Sequence, residues 1–198
     1  MRNWDERYTD PDYVYGTEAN EYLVSVADHI PQGKVLSLCE GEGRNAAWLA
    51  QQGCDVTAVD ASGVGLRKAR ELAASRGVQI NTVVSDLAHF DIEPAAWDAI
   101  VSIFCHVPPE LRAGLHRQCV EGLKPGGVLV LEAYTPRQID YGTGGPPTAE
   151  LTMHLEGLEA ELDGLEFLHA VELDRDVVEG KYHTGKGAVV QILARKPN

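Results

Sequence analysis

The sequence predicts a three-layer α/β/α sandwich built on a mostly parallel sheet. Short apolar runs alternate with segments of helical spacing over residues 34–134, and two β-rich runs close the chain at residues 167–173 and 187–194. Alternating strands and helices favour a parallel sheet with helices on both faces, whereas a closing pair adds an antiparallel strand. We therefore predict one domain over residues 1–198, with seven strands and a terminal antiparallel strand.

The elements follow one another in a repeated order up to residue 134. An N-terminal cap, residues 1–33, is predicted to contain a helix over residues 17–30 that stops at a Pro-Gln-Gly turn. The predicted strands cover residues 34–39, 54–59, 78–85, 97–104 and 128–134. The predicted helices between them cover residues 44–52, 62–76 and 109–122.

The pattern changes after the fifth strand. Residues 135–147 are rich in Gly and Pro and follow the carboxyl end of a strand, where open α/β sheets bind ligands, so we predict an active-site lid there. Residues 149–162 are predicted to be helical. The closing pair of strands is then joined by a polar turn at Glu179-Gly180-Lys181.

Composition excludes several classes of partner. The formal net charge is −13 with no basic run, which disfavours nucleic acid and anionic membranes and leaves a small-molecule substrate as the expected partner. No signal-peptide pattern is present at the N-terminus, so we expect a cytoplasmic protein. The four cysteines lack zinc spacing, and no metal is predicted. The sequence does not indicate an oligomeric state.

A glycine-rich turn carries the first ligand-binding motif. Gly41 and Gly43 belong to a GxGxxA pattern between a predicted strand and a predicted helix. Glycines let the backbone approach a ligand closely, and the amide groups at a helix start face the same place. This context is typical of a Rossmann-like fold, although the motif alone does not distinguish between cofactors.

Two carboxylates follow the next two strands. Asp60 ends the second strand, where it can accept hydrogen bonds from ribose hydroxyls; the alternative is that it caps the next helix, a role that Ser62 also suits. Asp86 and Leu87 follow the third strand, where they can contact an adenine, or Asp86 is a simple turn residue. A ribose carboxylate serves NAD and S-adenosylmethionine equally.

Taken together, these motifs resemble the class I S-adenosylmethionine-dependent methyltransferases. The matching segments are VLSLCEGEGRNAAWLA at residues 35–50, Asp60, Asp86 and LKPGGVLVLE at residues 123–132. The resemblance implies S-adenosylmethionine as cofactor, with S-adenosylhomocysteine as product, and transfer of a methyl group to a small molecule. GRNAAWLA and the closing residues 179–197 are similar to the tellurite-resistance and thiopurine-type enzymes, which implies a chalcogen oxyanion or a thiol as acceptor.

The chain departs from the family pattern at two positions. Ser37 stands where the family usually has an acidic residue, and Cys39 stands where it usually has the first glycine. Glu40 can replace the lost acid by pairing with the cofactor ammonium, or it is a solvated turn residue. Arg44 is predicted to receive the cofactor carboxylate. The full predicted cofactor set is Tyr15, Glu40, Gly41, Gly43, Arg44, Asn45, Asp60, Ala61, Ser62, Asp86, Leu87 and Phe104.

Methyl transfer from a sulfonium is an in-line displacement, so it needs alignment, and a base only when the acceptor is protonated. His106 follows the fourth strand and is the first candidate; its alternative role is helix capping or turn packing. His183 is the second, by resemblance to the family's His-bearing segment, or it is a surface residue. Tyr134 and Tyr141 flank the lid and can form an aromatic wall around the sulfonium, or Tyr134 packs within its strand.

Two rival functions remain open on the sequence. GxGxxA and a ribose carboxylate also suit an NAD-dependent oxidoreductase, against which the LKPGG turn and the antiparallel ending argue. The substitutions at Ser37 and Cys39 leave room for a non-catalytic module that binds S-adenosylmethionine.

Overall fold

The computed structural model describes residues 4–198 and contains one seven-stranded sheet. The strands are β1 Lys34–Leu38, β2 Asp55–Asp60, β3 Asn81–Val84, β4 Trp97–Ile103, β5 Leu123–Tyr134, β6 Glu166–Glu179 and β7 His183–Arg195. The helices are α1 Trp4–Tyr8, α2 Glu21–Ser25, α3 Arg44–Gln51, α4 Gly63–Ser75, α5 Pro109–Gly122, α6 Gln138–Tyr141 and α7 Leu155–Glu161. The predicted fold class is confirmed.

The strand order places a reversal at the centre of the sheet. The order is β3-β2-β1-β4-β5-β7-β6, with β1 to β5 parallel and β7 antiparallel to both of its neighbours. The chain winds outward from β1 in one direction and from β4 in the other. Open α/β sheets bind ligands in the crevice that such a reversal leaves at the carboxyl ends of the strands. The Gly-rich turn lies at this point.

Two apolar clusters bury the two faces of the sheet. Side chains of β1 alternate between them: Val35 packs with α3 and α4, whereas Leu36 and Leu38 pack with α5 and α7. The last four of the five residues of β1, from Val35 to Leu38, are buried, as is typical of a parallel strand covered on both faces. The carboxyl end of β1, which leads into the Gly-rich turn, is therefore packed on both faces of the sheet.

Several element boundaries differ from the prediction. The predicted helix over residues 17–30 is only α2 and a 3₁₀ turn, because the side chain of Asn20 accepts from the Leu23 amide and starts the helix late. The predicted helix over residues 149–162 is a 3₁₀ turn followed by α7, which His154 caps. Strand β5 begins at Leu123, because Leu123 already pairs with Trp97 of β4; the register then shifts, and pairing resumes at Val128.

The closing strands are longer than predicted. β6 and β7 form a hairpin with 13 paired positions, from Glu166 opposite Arg195 to Glu179 opposite His183. Its turn, residues 180–182, extends past the sheet edge to the crevice. The predicted lid, residues 135–147, contains the short helix α6. Over residues 4–198, no helix combines the length and apolar character needed to span a membrane.

Candidate cofactor and acceptor site

The Gly-rich turn joins β1 to α3 through backbone that only glycine adopts easily. Gly41 and Gly43 have φ values of 64° and 93°. A Cβ atom on Gly43 would lie 2.5 Å from Cα of Ala69, so glycine also lets α4 approach the start of α3. Left-handed backbone therefore explains both predicted glycines, and close packing against α4 is a second reason for glycine at position 43.

Asp60 holds this turn from the end of β2. Its Oδ2 accepts from the Gly41 amide at 2.9 Å, and its Oδ1 accepts from the Ser62 amide at 2.8 Å. Burial raises the pKa of the Asp60 carboxyl, against these two hydrogen bonds. Ser62 caps α4, its hydroxyl accepting from the Gly65 amide at 2.9 Å. Asp60 thus ties two parts of the predicted cofactor set together.

The crevice is more open at the ends of β2 and β3. Asp86 is exposed and accepts from the Ala88 amide at 2.9 Å, which fits a turn residue. Leu87 is buried in the core cluster below, and Ala61 is exposed at the rim. All three lie at the carboxyl ends of β2 and β3, where they were predicted.

Glu40 is buried rather than solvated. Its Oε1 accepts from the Ala46 amide at 2.9 Å, and its Oε2 accepts from the Ser37 hydroxyl. Burial raises the pKa of Glu40 to about 6, partly offset by these hydrogen bonds. The carboxylate therefore lies beside Ser37, the position at which the resembled family has an acid.

Arg44 and Asn45 point away from the turn. Nη2 of Arg44 donates to Glu179 at 2.6 Å, with both side chains buried, and Oδ1 of Asn45 accepts from the Asn20 amide at 2.9 Å. The guanidinium expected to receive the cofactor carboxylate is thus paired with the β6–β7 hairpin. The physical reason is charge balance, because the Arg44 guanidinium compensates the buried charge of Glu179.

Arg44 belongs to a buried ionic network that the sequence analysis missed. Arg175 donates from Nε and Nη2 to Glu132, both at 2.8 Å, and from Nη2 to Glu179 at 3.1 Å. Asn20 donates to Glu132 at 2.6 Å and to Glu179 at 2.9 Å. The network joins the N-terminal segment, α3, β5 and the hairpin into one wall.

The N-terminal segment covers the Gly-rich turn. Tyr8 is buried against Gly41 and Gly65, where a Cβ on Gly41 would lie 2.7 Å from its hydroxyl oxygen. Farther along, the Val14 amide donates to the Glu42 carboxylate at 2.8 Å, and the Lys68 ammonium pairs with the same carboxylate. Residues 4–16 therefore form a roof over the crevice.

A cluster of aromatic rings lines the acceptor side. Phe104 stacks on Tyr134 with centroids 4.6 Å apart, and the His183 ring lies 4.9 Å from Phe104 and 5.4 Å from Tyr134. Tyr15 closes the group at 4.6 Å from His183. Phe104 has a φ of 52°, so the chain turns sharply there and projects the ring beyond β4. Four predicted residues from distant segments are brought together here.

His106 also joins these rings, but both of its nitrogens are occupied. Nδ1 lies 2.9 Å from the Leu151 carbonyl, and Nε2 lies 3.3 Å from the Tyr134 amide, which donates to it. This pairing fixes a neutral imidazole with its proton on Nδ1. Burial lowers the pKa of His106 to about 4. The geometry matches the packing alternative rather than the catalytic one.

The His183 ring has a nitrogen that makes no hydrogen bond within the described residues. Its Nδ1 is buried, makes no hydrogen bond to any residue from 4 to 198, and lies 4.0 Å from the Glu179 carboxylate. Burial lowers the pKa of His183, and attraction to Glu179 opposes this only in part. A neutral imidazole beside a carboxylate can accept a proton and be stabilised once charged.

The predicted lid packs against the ring cluster. A Cβ on Gly145 would lie 3.0 Å from the Tyr134 ring, and a Cβ on Gly144 would collide with the Tyr182 carbonyl. Gln138 holds the lid by donating to the Gly144 carbonyl at 3.1 Å and accepting from the Ala188 amide at 2.9 Å. Residues 138–145 are therefore held against the ring cluster.

Tyr141 does not form part of the ring wall. Its hydroxyl donates to Asp174 at 2.8 Å, and the side chain belongs to an exposed group with Lys186 on the far side of the lid. The aromatic wall expected around the sulfonium consequently rests on Tyr134. Among residues 4–198 no cluster of potential ligands could hold a metal ion.

The reversed strand order, the Gly-rich turn and the carboxylate at the end of β2 define an α/β protein with a nucleotide-type ligand site. Residues 35–127 match the family described as "Methyltransferase domain". The chain has the fold of the class I S-adenosylmethionine-dependent methyltransferases, and the matched segment, just under half of the chain, is similar to their methyltransferase domain.

Named relatives have different reactions. The chain is 33% identical over 86 residues to a carboxy-S-adenosyl-L-methionine synthase of Geobacter sp. (strain M21), covering 42% of this chain and 35% of that protein. It is 29% identical over 144 residues to a 2-heptyl-1-hydroxyquinolin-4(1H)-one methyltransferase of Mycobacteroides abscessus, covering 71% and 63%. The chain thus spans about a third to two thirds of these relatives.

The crystal structure of TehB from Haemophilus influenzae is similar in fold. It superposes with a TM-score of 0.77 at 23% identity, covering 98% of this chain and 67% of that one. This likeness extends the shared fold over the N-terminal roof and the β6–β7 hairpin, which lie outside the matched segment.

Proposed function

We propose that this protein transfers the methyl group of S-adenosylmethionine to a small-molecule acceptor. The observation that carries the proposal is the position of the ring cluster. Phe104, Tyr134 and His183 lie at the carboxyl ends of β4 and β5, next to the crevice that starts at the Gly-rich turn. A cofactor in that crevice would present its reactive end to these rings.

The chain's own residues fit this cofactor. Asp60 lies between the Gly41 and Ser62 amides and keeps lone pairs for ribose hydroxyls. The buried Glu40 carboxylate fits the cofactor ammonium. S-adenosylmethionine supplies a methyl group on a positively charged sulfur, and the faces of Phe104 and Tyr134 favour such a charge.

The surroundings favour an acceptor that arrives protonated, such as a thiol. The guanidinium groups of Arg44 and Arg175 are both paired with buried carboxylates, so neither is free to bind an oxyanion. His183 can take a proton from the acceptor, and Glu179, 4.0 Å away, stabilises the resulting charge. A thiol therefore fits better than a chalcogen oxyanion.

The test compares two thiols that differ in acidity. p-Nitrothiophenol is largely ionised at neutral pH, whereas benzyl mercaptan is largely protonated, and transfer of labelled methyl to each is measured. We expect His183→Gln to reduce turnover of benzyl mercaptan by about 10²-fold or more and that of p-nitrothiophenol much less. His169→Gln, an exposed histidine of β6, is the matched control.

The outcomes separate the parts of the proposal. An equal loss on both thiols would assign His183 a role in structure rather than proton transfer. Methylation of tellurite but of no thiol would overturn the acceptor class. Binding of S-adenosylmethionine without turnover on any acceptor would favour a non-catalytic module.

A further inference from the structure

Two of the four cysteines meet in the crevice. Sγ of Cys39 lies 2.7 Å from Sγ of Cys105. Unbonded sulfur atoms normally lie farther apart, whereas the sulfurs of a disulfide bond are ~2.05 Å apart. Cys39 directly follows β1, and Cys105 lies two residues beyond β4. The pair therefore spans the point where the strand order reverses.

Backbone conformation brings the sulfurs together. Cys39 has a φ of 50°, and Phe104, which precedes Cys105, has a φ of 52°. Left-handed backbone is uncommon for residues other than glycine, so both chains turn unusually just past their strands. These turns direct one thiol from each half of the sheet to the same place.

The two thiols differ in accessibility. Cys39 is partly exposed, whereas Cys105 is 2% exposed. An outer thiol that meets a reagent first, with a buried thiol in contact behind it, is the arrangement that converts a mixed disulfide into an internal one. Cys54 and Cys119 are both buried, and neither makes a sulfur–sulfur hydrogen bond within residues 4–198.

We infer that Cys39 and Cys105 form a dithiol modification site that reacts with low-molecular-weight disulfides of the glutathione type. The Cys39 thiolate attacks one sulfur of the small disulfide, forming a mixed disulfide and releasing one small thiolate. Cys105 then attacks Sγ of Cys39, forming the internal disulfide and releasing the second. The protein loses two electrons, the small disulfide gains them, and the two cysteine protons end on the two released thiols.

The pH dependence of the reaction follows from the environment of the attacking thiol. Contact with Cys105 and burial raise the pKa of the Cys39 thiol. Because only the thiolate reacts, the rate should rise about tenfold from pH 7.5 to 8.5. A thiol of ordinary pKa would gain less, since it would already be partly ionised.

The test treats the reduced, full-length protein with oxidised glutathione at pH 8.5. We expect two of the four titratable thiols to disappear and the intact mass to fall by two hydrogens, with no adduct retained. The four cysteines fall on four different tryptic peptides, so mapping identifies the linked pair. Loss of reaction, a stable adduct on either residue, or linkage to Cys54 or Cys119 would overturn the inference.

Two variants report the order of attack. Cys105→Ser should stop at one glutathione adduct on Cys39, whereas Cys39→Ser should leave Cys105 unmodified. Adduct formation on Cys105 in the second variant would contradict the assigned roles. If a variant does not fold, the wild-type mapping still decides the inference.

A further arm rests on the proposed function. If the cofactor occupies this crevice, S-adenosylhomocysteine should slow oxidation of the pair in wild-type protein. Disulfide formation without protection would keep the dithiol site and place the cofactor elsewhere. Cofactor binding without disulfide formation would overturn the dithiol site and leave the proposed function standing. The two failures are therefore distinguishable.

Discussion

The cofactor side and the acceptor side of the crevice are held together by different kinds of contact. On the cofactor side, Asp60 and Glu40 accept from backbone amides at most 19 positions away, and neither forms an ion pair with a residue from 4 to 198. On the acceptor side, Glu132 and Glu179 are paired with arginines, and Asn20 joins them across 112 and 159 positions. Carboxylates on the first side stay available to a ligand, whereas those on the second serve the wall.

This difference predicts which side tolerates substitution. Removing a cofactor carboxylate should weaken ligand binding while leaving the fold, whereas removing a charge from the acceptor wall should lower the free energy of unfolding.

Arg175→Met should destabilise the protein by about 3–5 kcal/mol, because it leaves Glu132 buried without its cation. Urea unfolding followed by circular dichroism measures this. The matched control is Arg67→Met, which breaks the exposed Arg67–Glu71 pair and should change stability by less than about 0.5 kcal/mol. Similar losses in both variants would remove the contrast between the two sides.

Stability should fall as the pH is lowered, through His106. Its pKa in the folded protein, about 4, is below the unfolded value of 6.5, so the unfolded chain binds a proton that the folded protein does not. This contribution is present above pH 6.5 and is lost as the pH falls toward 4, by up to about 1.4 kcal/mol per pH unit.

The check is urea unfolding at several values between pH 7 and pH 4.5. His106→Gln should be less stable at pH 7 and show a shallower decline than wild type. Parallel curves for the two proteins would mean that His106 does not titrate as a buried neutral group.

Gly145→Ala should impair the lid. Gly145 has a φ of 95° and a Cβ there would press on Tyr134 at 3.0 Å, so we expect a higher KM for the acceptor with cofactor affinity unchanged. Gly142→Ala is the control: its φ is 62°, but a Cβ would meet nothing within 4 Å. In the control, alanine pays only for adopting left-handed backbone, about 1–2 kcal/mol of folding free energy, and makes no contact with the ring. Equal KM values would exclude the ring contact as a determinant of acceptor binding.

The cofactor side could be predicted from sequence because its determinants are local. The strand before Gly41, the glycines themselves and Asp60 at the end of the next strand all follow from patterns within about 30 residues. The burial of Glu40 could not be predicted, since its partner Ser37 lies on a strand whose facing was unknown. That Glu40 takes the place of the family's acidic residue stays a prediction.

The acceptor side could be predicted only in part. Resemblance to the family predicts a role for His183. The contact of His106 with the Leu151 carbonyl, 45 positions away, follows from no pattern in the sequence, so sequence alone could not rank the two histidines. Glu132 offered a usable signal, because a carboxylate inside the apolar run VLVLEAY must be paired if the strand is buried. Which arginine pairs with it depends on the hairpin register, and sequence spacing does not define that.

The most direct test of the account is calorimetric titration of wild-type protein, Asp60→Asn and the exposed control Asp163→Asn with S-adenosylhomocysteine, with NADH as the comparison ligand. We predict that wild type and Asp163→Asn bind S-adenosylhomocysteine alike and do not bind NADH, and that Asp60→Asn loses about 1–3 kcal/mol of binding free energy. Binding of NADH in place of S-adenosylhomocysteine, or unchanged affinity in Asp60→Asn, would contradict the assignment of the crevice.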